Sequence, residues 1–146
     1  MPSFRRKQLQ HDIPNWVHDG EIFFITINCL PRGANQLANA AIAEAIFQSV
    51  SFYEEAHKWK VRLLLLMPDH LHALVSFNTR LFPLRKTVQD FKRFIARNHS
   101  VCWQRYFFDH RIRNASELDE KTSYVLSNPV RAGLVEKADD WPYVRG

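Results

Sequence analysis

Residues 63–77 read LLLLMPDHLHALVSF, and this stretch decides the fold. The four leucines predict a strand that is buried on both faces, as in the centre of a sheet. Pro68-Asp69 is typical of a turn, so the segment from His70 to Phe77 returns as the second strand of a hairpin. Because side chains two positions apart on a strand share a face, His70 and His72 project together. Two histidines above an apolar underside outline a metal-binding platform.

The elements before the hairpin follow from composition and periodicity. β-Branched and aromatic residues predict a strand over residues 21–29. Apolar residues at helical spacing predict a helix over about residues 35–58, and the leucine-rich strand then spans residues 59–67.

After the hairpin, a second helix begins at Pro83, and a short aromatic strand is predicted around residues 106–108. A last helix starts near Ala115 with Asn114 as its cap, and Pro129 ends it near Asn128.

The order β-α-β-β-α-β is the split βαβ arrangement of ferredoxin-like sheets. We therefore predict an α+β fold in which two helices cover one face of an antiparallel sheet and a C-terminal helix carries Tyr124. The other face is expected to stay open, with the two histidines pointing out from it or from its edge. Residues 1–146 form one domain, of which residues 1–19 are a basic N-terminal arm.

The charge of the chain favours an anionic partner. The formal net charge is +5, and the stretch 80–97 carries six basic residues against the single acid Asp90. Such a cluster predicts binding to phosphate groups, while a solvated helix face is the plainer alternative. The basic residues of this stretch are Arg80, Arg85, Lys86, Lys92, Arg93 and Arg97.

Cysteine use and hydropathy suggest where the protein works. Cys29 and Cys102 are far apart in sequence, which argues against a disulfide framework and fits a reducing interior. The basic N-terminus lacks the apolar segment of a signal peptide, and no stretch is long enough to span a membrane. We expect a cytoplasmic protein without a membrane partner.

The last predicted helix places Tyr124 apart from its packing residues. At 100° per residue, Leu118 and Val125 fall on one side, while Tyr124 and Asn128 fall on another. A phenol one turn from a carboxamide, on a helix that can approach two histidines, suggests a nucleophile beside a ligand.

Several separated motifs together resemble the single-tyrosine HUH transposases, in particular the REP-associated tyrosine transposases. The two hallmarks are residues 67–72 (MPDHLH) and residues 124–135 (YVLSNPVRAGLV). Residues 103–113, residues 19–26 and the closing residues 141–143 are also similar to that family. The chain departs from it at position 106, which holds Tyr where the family usually has Gly, and this alters a local turn without touching the proposed chemistry.

This resemblance implies the roles of individual residues. Tyr124 would be the nucleophile, and His70, His72 and Asn128 would hold a divalent ion, Mg²⁺ or Mn²⁺. A separate hypothesis, from its place about one turn before Tyr124 and not from the resemblance, is that Lys121 lowers the pKa of the phenol. The implied reaction nicks and joins single-stranded DNA that folds into hairpins or palindromes, through a 5′-phosphotyrosine intermediate. The resemblance leaves monomer and homodimer both open. Candidate DNA-binding residues are Arg5, Arg6, Lys7, Arg85, Lys86, Lys92, Arg93, Arg97, Arg111 and Arg113.

Other functions remain as alternatives. A non-enzymatic single-stranded nucleic-acid-binding domain would explain the charge and the aromatic residues, but not the paired histidines or Tyr124. A metal-free two-histidine phosphoesterase needs a second His-x-Ser/Thr element, which the chain lacks. Relaxases and replication initiators typically use three histidines in longer chains. For His110, a structural hydrogen bond is favoured over a DNA contact.

Overall fold

The computed structural model describes residues 16–17 and 20–146, and in this part of the chain five antiparallel strands form one sheet. In chain order the elements are β1 (Ile22–Asn28), α1 (Ala40–Glu55), β2 (Trp59–Leu66), β3 (His70–Phe77), α2 (Leu84–His99), β4 (Phe108–Arg111), α3 (Ala115–Leu126), α4 (Asn128–Arg131), a 3₁₀ turn (Ala138–Asp140) and β5 (Val144–Arg145). The strand order in the sheet is β4-β1-β3-β2-β5, and every neighbouring pair is antiparallel. This order confirms the α+β, ferredoxin-like fold class.

Helices α1 and α2 cover one face of the sheet. Ile46 of α1 and Phe91 of α2 share a buried cluster with Ile25, Leu71 and other strand residues that point to this face. Burying each of these apolar side chains contributes roughly 1.5–3 kcal/mol. This layer holds the hairpin strands that carry the histidines.

Strand alternation divides the leucine run of β2 between the two faces of the sheet. Leu64 packs against α1 and α2, whereas Leu63 and Leu65 belong to the cluster on the opposite face. A register shift between Val61 and Leu63, just before this run, sets the phase of the alternation. The prediction that this strand is buried on both faces is therefore confirmed.

Helix boundaries agree with the local signals. Helix α1 begins after Asn39, whose side chain caps it, rather than at residue 35. Pro83 precedes α2, and Asn114 caps α3 by accepting a hydrogen bond from the Glu117 amide at 2.8 Å. Helix α3 ends at Leu126, and Pro129 falls in the first turn of α4. The aromatic strand β4 begins at Phe108, later than predicted.

The expectation of an open second face is wrong. Val125 of α3 and Trp141 of the C-terminal segment are buried against Phe24, Leu65 and Leu74 on that face. The apolar residues of β1, β2 and β3 on this side need a cover, and the amphipathic side of α3 supplies it. The histidine pair thus lies beneath a helix, not on a bare sheet.

The arm residues 1–15, and with them Arg5, Arg6 and Lys7, lie outside the described residues. Within residues 16–17 and 20–146, no helix is both long enough and apolar enough to cross a bilayer.

Candidate active site

The site is centred on the start of strand β3, where His70 and His72 project from the face of the sheet that α3 covers. Their ring centroids lie 4.9 Å apart, so the predicted pairing of the two imidazoles is present. The intervening Leu71 points into the opposite core. Strand periodicity alone explains this arrangement.

His72 is held as a neutral imidazole. Its residue is only 5% exposed, and its Nδ1 lies 2.8 Å from the hydroxyl of Thr26 on the adjacent strand. Burial is the main cause that lowers the pKa of His72 to about 3, and the electrostatic influence of neighbouring His70 and Arg131 adds to this effect. A neutral imidazole offers a ring lone pair at ordinary pH.

His70 is oriented by Asp69. The Nδ1–H of His70 donates to the Asp69 carboxylate at 2.8 Å, which leaves Nε2 as the acceptor nitrogen. Arg32 donates to the same carboxylate at 2.9 Å, and the Gly33 amide does so at 2.8 Å. Burial opposes ionisation of Asp69, but these three hydrogen bonds hold its pKa well below the usual range. The imidazole ring is therefore fixed by an ionised carboxylate.

Helix α3 brings Tyr124 to the histidines. The Tyr124 and His72 ring centroids are 5.8 Å apart, and Tyr124 is 46% exposed. Phe24 packs beneath both rings, stacked on His72 at 5.3 Å and edge-on to Tyr124 at 6.2 Å. The phenol is thus next to the imidazoles and still open to a substrate.

The start of α3 is tied to the edge strand. His110 of β4 donates from Nε2 to Glu117 at 2.8 Å, and the Arg113 amide donates to the other oxygen of that carboxylate at 2.7 Å. These bonds lower the pKa of Glu117, with the His110 bond as the largest cause. His110 has the structural role that the sequence favoured, and it fixes where α3 crosses the sheet.

Asn128 completes the group at the first turn of α4. Its Nδ2 donates to His70 Nε2 at 3.3 Å, in agreement with the acceptor state that Asp69 imposes on that nitrogen. In the described part of the chain, no cluster of three histidine, cysteine or carboxylate side chains could share a cation. Imidazole nitrogens and amide oxygens are ligands that divalent metals bind. A carboxylate hydrogen-bonded to the other ring nitrogen, as Asp69 is to His70, commonly orients a metal-ligating histidine. The residues present therefore fit a divalent cation.

Lys121 lies near the phenol but also near Phe24. Its Nζ is 5.7 Å from the Tyr124 ring centroid and 5.1 Å from that of Phe24. Its position allows an electrostatic effect on Tyr124, and the activating role stays a prediction.

The basic residues of α2 lie away from this group. Val88, Phe91 and Ile95 bury α2 against the face opposite to His72, so the α2 cations are on the far side of the sheet. Lys86 and Arg93 both pair with Asp90, at 2.9 and 3.3 Å. Arg85 and Arg97 are exposed on the same helix. A phosphate surface there would be separate from the histidine site.

The structure does not support Lys92 as a phosphate ligand. This residue is buried, and its Nζ donates to the backbone oxygens of Gln104 at 2.8 Å and Arg105 at 3.1 Å. Burial lowers the pKa of Lys92. Its ammonium group anchors the loop before β4, which explains why a basic residue sits on the packed side of the helix.

The two remaining arginine candidates lie at the sheet edge near β4. Arg111 is 3.9 Å from Glu21, and Arg113 is 4.0 Å from Glu117. Both arginine side chains are mostly exposed, so a phosphate could reach them. Their role in binding stays a prediction.

Sequence reasoning missed three residues of the site. Thr26 is the polar residue in the apolar alternation of β1, and that break in pattern was its signal. Asp69 was interpreted only as a turn residue. Arg131 places its guanidinium carbon 4.2 Å from the Tyr124 ring centroid, and only its helical spacing from Tyr124, seven residues on, could have indicated this.

Two known proteins that are similar in sequence carry the same family name. A provisionally named REP-associated tyrosine transposase of Haemophilus influenzae is 27% identical over 143 residues, covering 85% of this chain and 78% of that protein. A REP-associated tyrosine transposase of Escherichia coli K12 is 22% identical over 131 residues, covering 85% and 75%. No family model matches the chain.

Solved structures agree on the fold. The structure of a REP-associated tyrosine transposase bound to a REP hairpin superposes with a TM-score of 0.67 at 20% identity, covering 99% of this chain and 82% of that one. A provisionally named transposase of Deinococcus radiodurans superposes with a TM-score of 0.55 at 11% identity, covering 82% and 95%.

The fold and the site define an α+β protein in which a helix-borne tyrosine faces a histidine pair on a ferredoxin-like sheet. The sequence relatives and the solved structure support the family prediction: over most of its length the chain is similar to proteins named REP-associated tyrosine transposases.

Proposed function

We propose that this chain is a transposase-type enzyme that cleaves and rejoins single-stranded DNA through Tyr124. The observation that carries this proposal is the meeting of three elements at one point. The exposed phenol of α3, the imidazoles of β3 and the amide of Asn128 on α4 all come together. A purely structural tyrosine would not need a histidine pair, oriented by Asp69 and Thr26, beside it.

In the proposed reaction, the Tyr124 oxygen attacks a backbone phosphorus. The bond from phosphorus to the tyrosine oxygen forms while the bond to the 3′ oxygen breaks. The phenol loses its proton and the departing 3′ oxygen gains one. The product is a 5′-phosphotyrosine with a free 3′-hydroxyl, and attack by another 3′-hydroxyl reverses the step and joins strands without ATP.

The chain's own residues prepare this attack. Asp69 holds the His70 ring with Nε2 unprotonated, and Thr26 holds His72. His70, His72 and Asn128 would hold a divalent cation, Mg²⁺ or Mn²⁺, which when bound supplies Lewis-acid polarisation of a phosphate oxygen. Lys121 adds positive charge near the ring, which favours the anionic form of a phenol in general.

The substrate we propose is single-stranded DNA folded into a hairpin. One structural relative is described as bound to a REP hairpin, and two sequence relatives carry the name of REP-associated tyrosine transposases. Arg85, Lys86, Arg93 and Arg97 on α2 are available for backbone phosphates on the face opposite the tyrosine. A folded DNA that reaches both faces would engage them together.

The test is covalent capture of DNA. Purified protein is incubated with Mn²⁺ and labelled hairpin oligonucleotides that have single-stranded arms of mixed sequence. We expect a labelled protein band that survives SDS with the wild type and disappears with Tyr124→Phe. Tyr106→Phe is the matched control, because Tyr106 is also an exposed tyrosine but lies in the loop before β4. A wild type without adduct, or an adduct that persists in Tyr124→Phe, would overturn the proposal.

The second candidate is a non-enzymatic single-strand binder, which the separate basic surface of α2 favours. Under this alternative, Tyr124→Phe and wild type would bind the oligonucleotides equally and neither would form an adduct. Gel shifts of the same samples, run beside the denaturing gels, distinguish the two.

A further inference from the structure

An aromatic ring beside the candidate active site leaves more than half of its surface exposed. Phe108 is the first residue of the edge strand β4, and it is 54% exposed. Most large aromatic residues of the sheet, such as Phe24 and Phe77, are buried. A flat apolar or aromatic partner that covered the exposed part of this ring would gain burial free energy.

Strand register aligns Phe108 with the histidines. Phe108 pairs with Thr26, and Thr26 pairs with His72. Residues directly opposite each other on neighbouring strands point to the same face, so these three side chains form one row across the sheet. Two strand spacings separate the backbones of Phe108 and His72, about 10 Å.

The ring is anchored on one side and open on the other. Its edge contact is with Phe24, at 6.2 Å between centroids and 70° between planes, and Phe24 stacks in turn on His72. The Lys121 ammonium group is 5.1 Å from the Phe24 centroid, which puts positive charge beside the same aromatic group. An open aromatic face next to cations matches a nucleotide, with its base on the ring and its phosphate on the charge.

We propose that Phe108 stacks the base of a nucleotide next to the phosphate that Tyr124 attacks. This inference rests on the proposed function and adds a base-binding subsite to it. Stacking accepts any base, so Phe108 would position the strand without reading its sequence. Other exposed aromatics differ in setting: the Tyr106 ring lies against the guanidinium group of Arg105, and Phe52 is on the outer side of α1.

The experiment couples a side-chain change to a missing base. A hairpin oligonucleotide that forms adduct is resynthesised as a series in which each arm nucleotide in turn is abasic. Adduct rate and binding are measured for wild type, Phe108→Leu, Phe108→Trp and the control Phe52→Ala. Phe108→Leu keeps an apolar contact for Phe24, and thermal unfolding of each variant verifies folding.

The expected result is non-additivity at one position. One abasic nucleotide beside the cleaved bond lowers the wild-type binding constant roughly 5- to 100-fold, and Phe108→Leu lowers it similarly on the intact strand. When Phe108→Leu is combined with the abasic strand, the binding constant falls no further than with either change alone. Phe108→Trp and Phe52→Ala bind both strands as the wild type does. Wild-type binding by Phe108→Leu, or additive losses at every position, would overturn the subsite.

Failure of the proposed function is distinguishable from failure of this inference. If no oligonucleotide forms an adduct, the same coupling is measured as binding of labelled dT20 against a fully abasic 20-mer. A loss of base preference in Phe108→Leu then supports stacking without catalysis. An unchanged base preference overturns it.

Discussion

The guanidinium group of Arg131 covers the face of the Tyr124 ring, with its central carbon 4.2 Å from the ring centroid. It also donates to the Tyr124 carbonyl at 2.9 Å and to the Ser127 hydroxyl. Arg131 therefore joins α4 to the last turn of α3 and restricts the ring that the proposed reaction uses. A cation on an aromatic face of this exposure contributes roughly 0.5–1 kcal/mol.

Replacing Arg131 should impair chemistry more than binding. In Arg131→Ala the ring loses its restraint, and a small misplacement of a nucleophile can cost roughly a hundredfold in rate. We expect the rate of adduct formation at saturating DNA to fall roughly 10- to 100-fold. Arg131→Lys keeps the charge but not the planar fork, so it should recover only part of the rate.

Single-turnover kinetics across DNA concentrations measures this effect. Equal losses in Arg131→Ala and in the distant control Arg97→Ala would show that Arg131 acts only as a general phosphate contact.

The buried histidine makes stability depend on pH. His72 has a pKa of about 3 in the folded chain because of burial, against about 6.5 when unfolded. Below pH 6.5 His72 binds a proton in the unfolded state but stays unprotonated in the folded state, so the free energy of unfolding decreases as the pH falls. The free energy of unfolding should drop by up to about 1.4 kcal/mol per pH unit between pH 6.5 and 4 from this residue.

Urea unfolding in EDTA at pH 7, 6 and 5 measures this slope. His72→Gln retains a polar group for Thr26 but cannot titrate, so its stability should fall less steeply than that of the wild type. Parallel slopes for the two proteins would contradict the assignment of a neutral, buried His72.

Asp69 should control cation affinity through His70. Without the carboxylate, the His70 ring loses its hydrogen bond at Nδ1 and its fixed orientation. Loss of such a supporting group typically weakens metal binding 10- to 100-fold. Titration calorimetry with Mn²⁺ should show this loss for Asp69→Ala, while the exposed Asp119→Ala binds as wild type. Equal Mn²⁺ affinities of Asp69→Ala and the wild type would show that Asp69 does not support the cation site.

Lys92 should behave as a structural residue. Lys92→Met leaves the carbonyls of Gln104 and Arg105 without their donor, which costs about 1–3 kcal/mol of unfolding free energy. Lys86→Met, on the exposed side of the same helix, should change stability by less than about 0.5 kcal/mol. Chemical denaturation measures both effects, and a stable Lys92→Met with weakened DNA binding would restore Lys92 as a phosphate ligand.

The parts of the structure set by local chemistry could be predicted from the sequence. Alternation in β3 gave the shared face of His70 and His72, and the Asn114 cap gave the start of α3. The packing partner of α3 was not predictable, because periodicity shows which side of a helix is apolar but not which surface it covers. For this reason the open face was predicted wrongly.

Long-range contacts account for the other differences. Lys92 was grouped with the exposed cations because its helix position does not reveal the two carbonyls, 12 and 13 residues later, that it satisfies. The bonds from Arg32 to Asp69 and from Thr26 to His72 likewise join residues 37 and 46 positions apart. Such pairs depend on tertiary folding, which no local pattern encodes.

Mass spectrometry of the trapped complex tests the central claim most directly. Trypsin cleavage after Lys121 and Arg131 releases residues 122–131, which contain Tyr124 as their sole tyrosine. After reaction with hairpin DNA, Mn²⁺ and nuclease trimming, this peptide should carry a nucleotide 5′-phosphate on the Tyr124 oxygen. Cleaved DNA together with an unmodified peptide, or with the nucleotide on a different residue, would contradict the assignment of Tyr124 as the nucleophile.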